Sequence, residues 1–227
     1  MGQLLIIGAS HGIGRAILDQ QIDQRACTVI NRTPTDLSHP HLTEYNLDVL
    51  SDELPEIDEI DGIIYCPGSI NLKPISSIKE ELLRQDFEIN VVGAYRVIRH
   101  YLRALKKGNN PSITLFSTVA VDLGMAFHTS VAAAKGAVEG MMRSLAAELA
   151  PTIRVNAIAP TITDTPLAAS LLRNDKMIEK MKERHPLKRI VQPEQIAAVV
   201  DLLIGENGSA ITGQVFTIDS GISGVKV

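Results

Sequence analysis

The sequence predicts an α/β protein whose core is a doubly wound parallel sheet of about seven strands with helices on both faces. Three observations carry that expectation. Short apolar runs alternate with helical patterns from one end of the chain to the other. Several of these runs, such as Leu4-Leu5-Ile6-Ile7, are continuous rather than alternating, as strands buried on both faces must be. A glycine-rich segment follows the first run directly and opens a helical pattern.

Taken in order, strands are expected at 3–7, 27–31, 42–46, 62–66, 112–117, 154–159 and 214–218. Helices are expected at 12–20, 80–106, 131–149, 167–184 and 193–205. The crossovers after strands 2 and 3 are shortened. Only about ten residues join the second strand to the third, close to the minimum for a parallel crossover. Thr33-Pro34-Thr35-Asp36 and His39-Pro40 occupy much of that gap and favour turns. The helix there should be absent or a single turn, and the segment 50–60 is similarly reduced.

The chain has 227 residues, enough for one large domain or two small ones. No internal repeat or low-complexity linker divides it, so a single domain over 1–227 is expected. Hydrophobic residues at 45% and charged residues at 21% are ordinary for a folded soluble protein. A net charge of −4 argues against a nucleic-acid footprint or a basic membrane face. The run Leu4-Leu5-Ile6-Ile7 is far too short to span a membrane. Cys27 and Cys66 fit buried reduced thiols of a cytoplasmic protein better than a disulfide. No Cys/His cluster has metal-ligand spacing.

Gly8-Ala9-Ser10-His11-Gly12-Ile13-Gly14 stands between the first strand and the first helix. Glycines so spaced let the backbone turn tightly and approach a pyrophosphate, which the helix N-terminus then meets with free N–H groups and a positive dipole end. This predicts a Rossmann-type dinucleotide-binding domain. The loop after the second strand begins Asn31-Arg32-Thr33. An acidic residue there would hold the adenosine ribose hydroxyls; Arg32 could instead pair with a 2′-phosphate, with His11 a possible second base. NADP is therefore expected over NAD, against the plainer reading of Arg32 as a solvated charge.

These segments resemble the short-chain dehydrogenase/reductase family over nearly the whole chain. Residues 8–14 are similar to its TGxxxGIG loop, with Ile7 in place of the threonine. Asp48-Val49 resembles the acidic-apolar pair that contacts adenine, and Tyr65-Cys66-Pro67-Gly68 stands where the family has Asn-Asn-Ala-Gly. Asn90 falls at the active-site asparagine, and residues 154–160 (Arg-Val-Asn-Ala-Ile-Ala-Pro) resemble RVNAIAPG with Thr161 replacing the glycine. Thr165 matches the threonine near the nicotinamide, and Pro193-Glu194-Gln195-Ile196-Ala197 and Ile211-Thr212-Gly213-Gln214 match the late helix and last strand. The resemblance implies a cofactor site made by Gly8, Ser10, His11, Gly12, Ile13, Gly14, Asn31, Arg32, Asp48, Val49, Gly68, Asn90, Lys135, Pro160, Thr163 and Thr165.

It also exposes a gap. The family's reaction uses a tyrosine to move the proton on a carbonyl or alcohol oxygen. A lysine one helical turn later lowers the tyrosine pKa and holds the ribose, and a serine hydrogen-bonds the reacting oxygen. Lys135 is present, but the tyrosine position holds Val131; Thr118, with Ser117 beside it, stands in for the serine. Tyr45, Tyr65, Tyr95 and Tyr101 lack the spacing to replace the tyrosine. In the branch of the family that reduces enoyl thioesters, the tyrosine lies seven residues before the lysine. That place is taken here by His128, either a replacement donor or a loop residue ahead of a helix capped by Thr129 or Ser130. The implied catalytic set is Asn90, Thr118, His128 and Lys135.

Two functional readings follow, with a third beside them. One is an NADP(H)-dependent oxidoreductase acting on a small or apolar carbonyl or activated alkene with a nonstandard proton donor, beneath a substrate lid at 163–184. The second is an NADP-binding pseudoenzyme serving a partner. The third is a structural subunit of a mixed oligomer. The resemblance implies a homodimer or homotetramer through helices 80–106 and 131–149, with Val97, Ile98, Tyr101, Met141, Met142 and Leu145 supplying apolar area.

Overall fold

A computed structural model describes residues 2–226. Seven parallel strands form one sheet in the order β3-β2-β1-β4-β5-β6-β7. They are β1 (Gln3–Ile7), β2 (Ala26–Asn31), β3 (Leu42–Asn46), β4 (Gly62–Tyr65), β5 (Ser112–Phe116), β6 (Arg154–Pro160) and β7 (Val215–Ile218). The helices are α1 (Gly12–Gln21), α2 (Glu80–Phe87), α3 (Gly93–Leu105), α4 (Ala120–Leu123), α5 (Thr129–Leu149), α6 (Asp175–Glu183) and α7 (Pro193–Ile204). Strand order reverses direction between β1 and β4, and ligands bind at the carboxyl ends of such switch points.

The continuous apolar runs divide by the strand period of two. Leu5, Ile7, Ile63 and Tyr65 pack beneath α3 and α5, while Leu4, Ile6 and Ile64 face α1 and α7. The five central strands, buried on both faces, thus separate two cores, while β3 and β7 at the sheet edges are partly exposed. At the far end of β6 the Arg154 guanidinium is buried, donating to the carbonyls of Leu203 and Gly208, which fastens the end of α7 to the sheet. Asn156 does the same for β7, donating to Ile211 O and accepting from Gln214 N.

No helix joins β2 to β3 or β3 to β4, as the short crossovers anticipated. The reason is visible at Glu44, whose carboxylate accepts from Thr35 N, the Thr35 hydroxyl and Asn31 Nδ2. The connection is folded onto β3 by side-chain bonds instead of by helix.

Four expectations need correction. The helix expected at 80–106 is broken by a π-helical turn over Glu88–Val92, which carries Asn90. The helix expected at 167–184 contracts to α6 behind a single 3₁₀ turn at Pro166–Ala168, because Asn174 caps it, accepting from Met177 N at 3.0 Å. Helix α5 starts two residues earlier than its apolar pattern. Its N-cap is His128 with no side-chain cap, while Ser130 turns inward to Asp86. Val97, Ile98, Tyr101 and Met142, expected at an oligomer contact, lie inside the core of this one chain. The large apolar side chains these segments do expose are Val92 and Tyr95.

The one-turn helix α4 had no signal in the sequence. Cys27 and Cys66 are free thiols. Among the described residues no helix is long and apolar enough to cross a membrane, and no group of His, Cys, Asp and Glu could hold a metal ion.

Candidate functional site

The glycine loop leaves β1 at the switch point. Gly8 (φ 80°) and Gly12 (φ 61°) adopt left-handed backbone, which only glycine enters at little cost. Gly14 is needed for closeness: a Cβ on it would lie 2.1 Å from Gly8 O. The end of β2 braces the loop, since Ala9 N donates to Asn31 Oδ1 at 2.6 Å. With its Nδ2 given to Glu44, Asn31 acts on the cleft chiefly by shaping this turn.

Ser10, His11, Gly12, Ile13 and Gly14 line one side of an open cleft; Arg32, Asp48 and Val49 line the other. Arg32 is exposed at the rim and makes no hydrogen bond or ion pair among the described residues. Gly68, Cys66 and Thr165 close the inner end. There the cleft meets a second, more apolar cavity, which shares Ile13, Cys66, Gly68, Thr165 and Leu167 with it. Thr118, His128, Val131, Lys135, Pro160 and Thr163 all face this second cavity, whose outer wall comes from Leu171, Met181 and Ile222. The structure therefore gathers the residues singled out in the sequence into two adjoining spaces. Asn90 lines neither directly, but its Oδ1 reaches the junction behind Gly68.

Each candidate polar group has a definable state. Ser117 Oγ donates to Glu139 Oε1 at 2.6 Å in the interior, so that hydroxyl is spent. Thr118 Oγ1 accepts weakly from Ala120 N (3.3 Å) and its proton is free to point into the cavity. His128 Nδ1 lies 2.7 Å from Ala126 O. A carbonyl only accepts, so the neutral ring carries its N–H at Nδ1 and a lone pair at Nε2. Lys135 is 8% exposed, and Nζ donates to Phe116 O at 2.8 Å. Burial pulls its pKa down from 10.5 to about 8, opposed by the Cys66 thiol and the Asp86 carboxylate. Burial likewise pushes the Cys66 thiol up to about 12, with Lys135 opposing.

Behind these groups lies a polar knot that no sequence motif announces. Asp86 on α2 is fully buried and accepts from Ser69 Oγ, from Asn71 Nδ2 at 2.7 Å and from Ser130 Oγ on α5. Asn90 Nδ2 donates to Asp86 O at 2.7 Å, leaving Asn90 Oδ1 buried with no partner among the described residues. Nothing in the sequence marks Asp86, since a lone carboxylate in an amphipathic helix reads as surface. Across the cavity the buried His185 pairs with Thr161 (2.8 Å) and Met181 O (2.7 Å), fastening the segment behind α6 to the end of β6.

A family model described as enoyl-(acyl carrier protein) reductase matches residues 34–223. The chain is similar to the 3-oxoacyl-[acyl-carrier-protein] reductase of Thermotoga maritima, 32% identical over 242 residues and covering 96% of both chains. It is also similar to the L-xylulose reductase of Bos taurus, 26% identical with 96% of this chain and 94% of that one covered. Among solved structures, a short-chain dehydrogenase/reductase of the glucose/ribitol dehydrogenase type from Brucella melitensis superposes with a TM-score of 0.88 at 26% identity, covering 97% of this chain and 96% of the other. This chain belongs to the short-chain dehydrogenase/reductase family of oxidoreductases.

Proposed function

We propose that the protein is an NADP(H)-dependent oxidoreductase that reduces, or forms by oxidation, a small or apolar carbonyl or activated alkene. The observation that carries this reading is the junction at Gly68. There a glycine-lined cleft built for a dinucleotide opens into an apolar cavity that holds Lys135 and Thr118.

The residues fit the cofactor. The α1 N-terminus and the left-handed glycines accommodate a pyrophosphate, and Asp48 and Val49 stand where an adenine would lie. Exposed Arg32, without a partner among the described residues, suits a 2′-phosphate. Lys135, the unpartnered Asn90 Oδ1, Pro160, Thr163 and Thr165 surround the place for the nicotinamide half. When bound, the nicotinamide supplies or accepts the hydride. The chain's own part is to orient the partners, exclude water and handle the proton. Thr118 can donate to the substrate oxygen; His128 and Lys135 are the remaining titratable groups facing the cavity from α5 and its cap. Residues 163–184 serve as lid over a single domain spanning 1–227. The apolar lining from Leu171 and Met181 favours an apolar substrate.

Val131 gives the pseudoenzyme reading its one support, since it removes the standard proton donor while sparing every group that would hold the nucleotide. Loss of general acid help is worth about 10²–10⁴-fold, so orientation against the nicotinamide would still leave measurable turnover. One experiment separates the two. NADPH is titrated by fluorescence, and aldehydes, ketones and enones are then screened for NADPH consumption. Tight binding together with turnover of at least one substrate is expected. Tight binding without turnover of any would establish the pseudoenzyme instead. Assembly as a homodimer or homotetramer through the segment 80–106 and α5 would use exposed Val92 on the π-helical turn and Tyr95 on α3 rather than the buried residues of those helices.

A further inference from the structure

We propose that the Lys135 ammonium itself, rather than a replacement for the tyrosine, delivers the proton to the substrate oxygen. The inference rests on the oxidoreductase reading and names the acid that reading leaves open.

Val131 shapes the space around the lysine. It precedes Lys135 by one turn of α5, and both are buried and face the apolar cavity. A tyrosine there would place a ring and hydroxyl in the cavity beside the lysine. Valine ends at its Cγ atoms, so the ammonium meets the cavity without an intermediary.

Lys135 also has protons to give. Its only hydrogen bond among the described residues goes to Phe116 O at 2.8 Å, leaving two of three N–H groups without a chain acceptor in a site nine-tenths buried. One suits a ribose hydroxyl. The other is available to a substrate oxygen held by Thr118.

The competing donors are each at a disadvantage. Ser117 is committed to Glu139. His128 gives its Nδ1 hydrogen to Ala126 O, so Nε2 of the uncharged ring offers the cavity a lone pair and not a proton. Thr118 can polarise an oxygen but cannot yield its proton near neutral pH, because a hydroxyl is far too weak an acid. The Cys66 thiol, pushed up to about 12, is a poor one. Lys135, lowered to about 8, is matched to an acid that must both give and regain a proton near neutrality. The charged and titratable groups that face it are Cys66 from the end of β4, Asp86 from α2, His128 from the α5 cap, and Arg184 and His185 across the cavity.

The balance is simple. With a reduced nicotinamide bound as hydride source, addition of hydride to the carbonyl carbon would send the C–O π pair to oxygen. That oxygen takes a proton from Lys135 Nζ: one N–H bond breaks, one O–H bond forms, and the electron pair stays on nitrogen as a neutral amine. A solvent proton, passed through water, recharges the amine, and the two electrons of the hydride would come from the reduced cofactor, left in its oxidised form.

Three measurements test it. In the cofactor-free protein, competitive acetylation read by mass spectrometry should give Lys135 a titration midpoint at least one pH unit below the surface lysines. In Lys135→Arg, which keeps the charge but cannot release a proton at these pH values, NADPH affinity should stay within about threefold while kcat falls at least about 100-fold. In Lys135→Ala, added primary alkylamines of graded basicity should restore rate in a manner that follows their pKa. The proposal is overturned by an ordinary titration of Lys135, by a Lys135→Arg enzyme that keeps its rate, or by rescue indifferent to amine pKa. Wild-type protein that binds NADPH but turns over nothing would instead sink the oxidoreductase reading, and this assignment with it.

Discussion

Asn90 Oδ1 and Lys135 Nζ converge behind Gly68, each 3.4 Å from the point that a Cβ on that glycine would occupy. One comes from a π-helical turn and the other from the buried face of α5, and the glycine between them is the floor of the junction between cleft and cavity. Gly68 does not need left-handed backbone, so an added methyl would meet Asn90 Oδ1 and Lys135 Nζ at contact distance and crowd the place where those atoms would hold a ligand. Gly68→Ala should therefore keep its melting temperature while weakening NADPH binding about tenfold, or about 1.4 kcal/mol. Fluorescence titration beside a thermal melt checks both halves; unchanged affinity would remove Gly68 from the binding surface.

Arg32 offers a sharper reading of cofactor choice. A guanidinium that meets a 2′-phosphate makes charge-assisted bonds that the unphosphorylated ribose cannot provide. Arg32→Ala should weaken NADPH binding by about 10–100-fold and NADH binding by less than about threefold. Equal losses for the two would return Arg32 to the status of a solvated surface charge.

Val131→Tyr rebuilds the relay that the family normally carries. If Thr118, Asn90 and Lys135 are otherwise in place, carbonyl reduction should rise at least about tenfold in kcat. No gain across a panel of ketones and aldehydes would show that the cavity has diverged beyond this single side chain.

Lys135 should cost the fold stability at neutral pH. Its folded-state pKa of about 8 lies below the ordinary 10.5, so between those values the unfolded chain binds more protons. Stability from this group therefore rises as pH increases through 8 toward 10.5, and is lowest below 8. At pH 7 Lys135→Met should be the more stable protein by about 1 kcal/mol or more, roughly 2–4 °C in melting temperature. The advantage should shrink toward pH 10. An advantage constant across pH 6–10 would mean that packing, not proton binding, produced it.

Asp86 should behave oppositely. Asp86→Ala strands the donors of Ser69, Asn71 and Ser130 around a small cavity, and should destabilise by about 2–4 kcal/mol in urea unfolding. A loss below about 1 kcal/mol would show that water or rearranged side chains satisfy those donors.

Much of this architecture was legible in the residues. The continuous runs at Leu4-Leu5-Ile6-Ile7 and along β6, short and alternating with helical patterns, read as strands covered on both faces, and the glycine loop between β1 and α1 carried its own geometry. The short crossover after β2 was equally plain from Thr33-Pro34. The helix expected over 167–184 was not, because periodic leucines and methionines do not reveal that Asn174 starts a new helix inside them. Nor did the sequence distinguish the faces of α3 and α5: apolar residues at Val97, Ile98, Tyr101 and Met142 serve core and interface equally well until the sheet is in place.

By itself the sequence determined the sheet, the nucleotide loop and the absence of the tyrosine at Val131, because each is local in the chain or periodic along it. Only the tertiary structure decided which hydroxyl and which nitrogen still have protons to offer. Ser117 is committed to Glu139, twenty-two positions away, and Asp86 collects donors from Ser69 and Ser130 on opposite sides of it in the chain. A hydrogen bond between distant residues leaves no trace in spacing, and the state of a proton depends on every group that folding brings within reach.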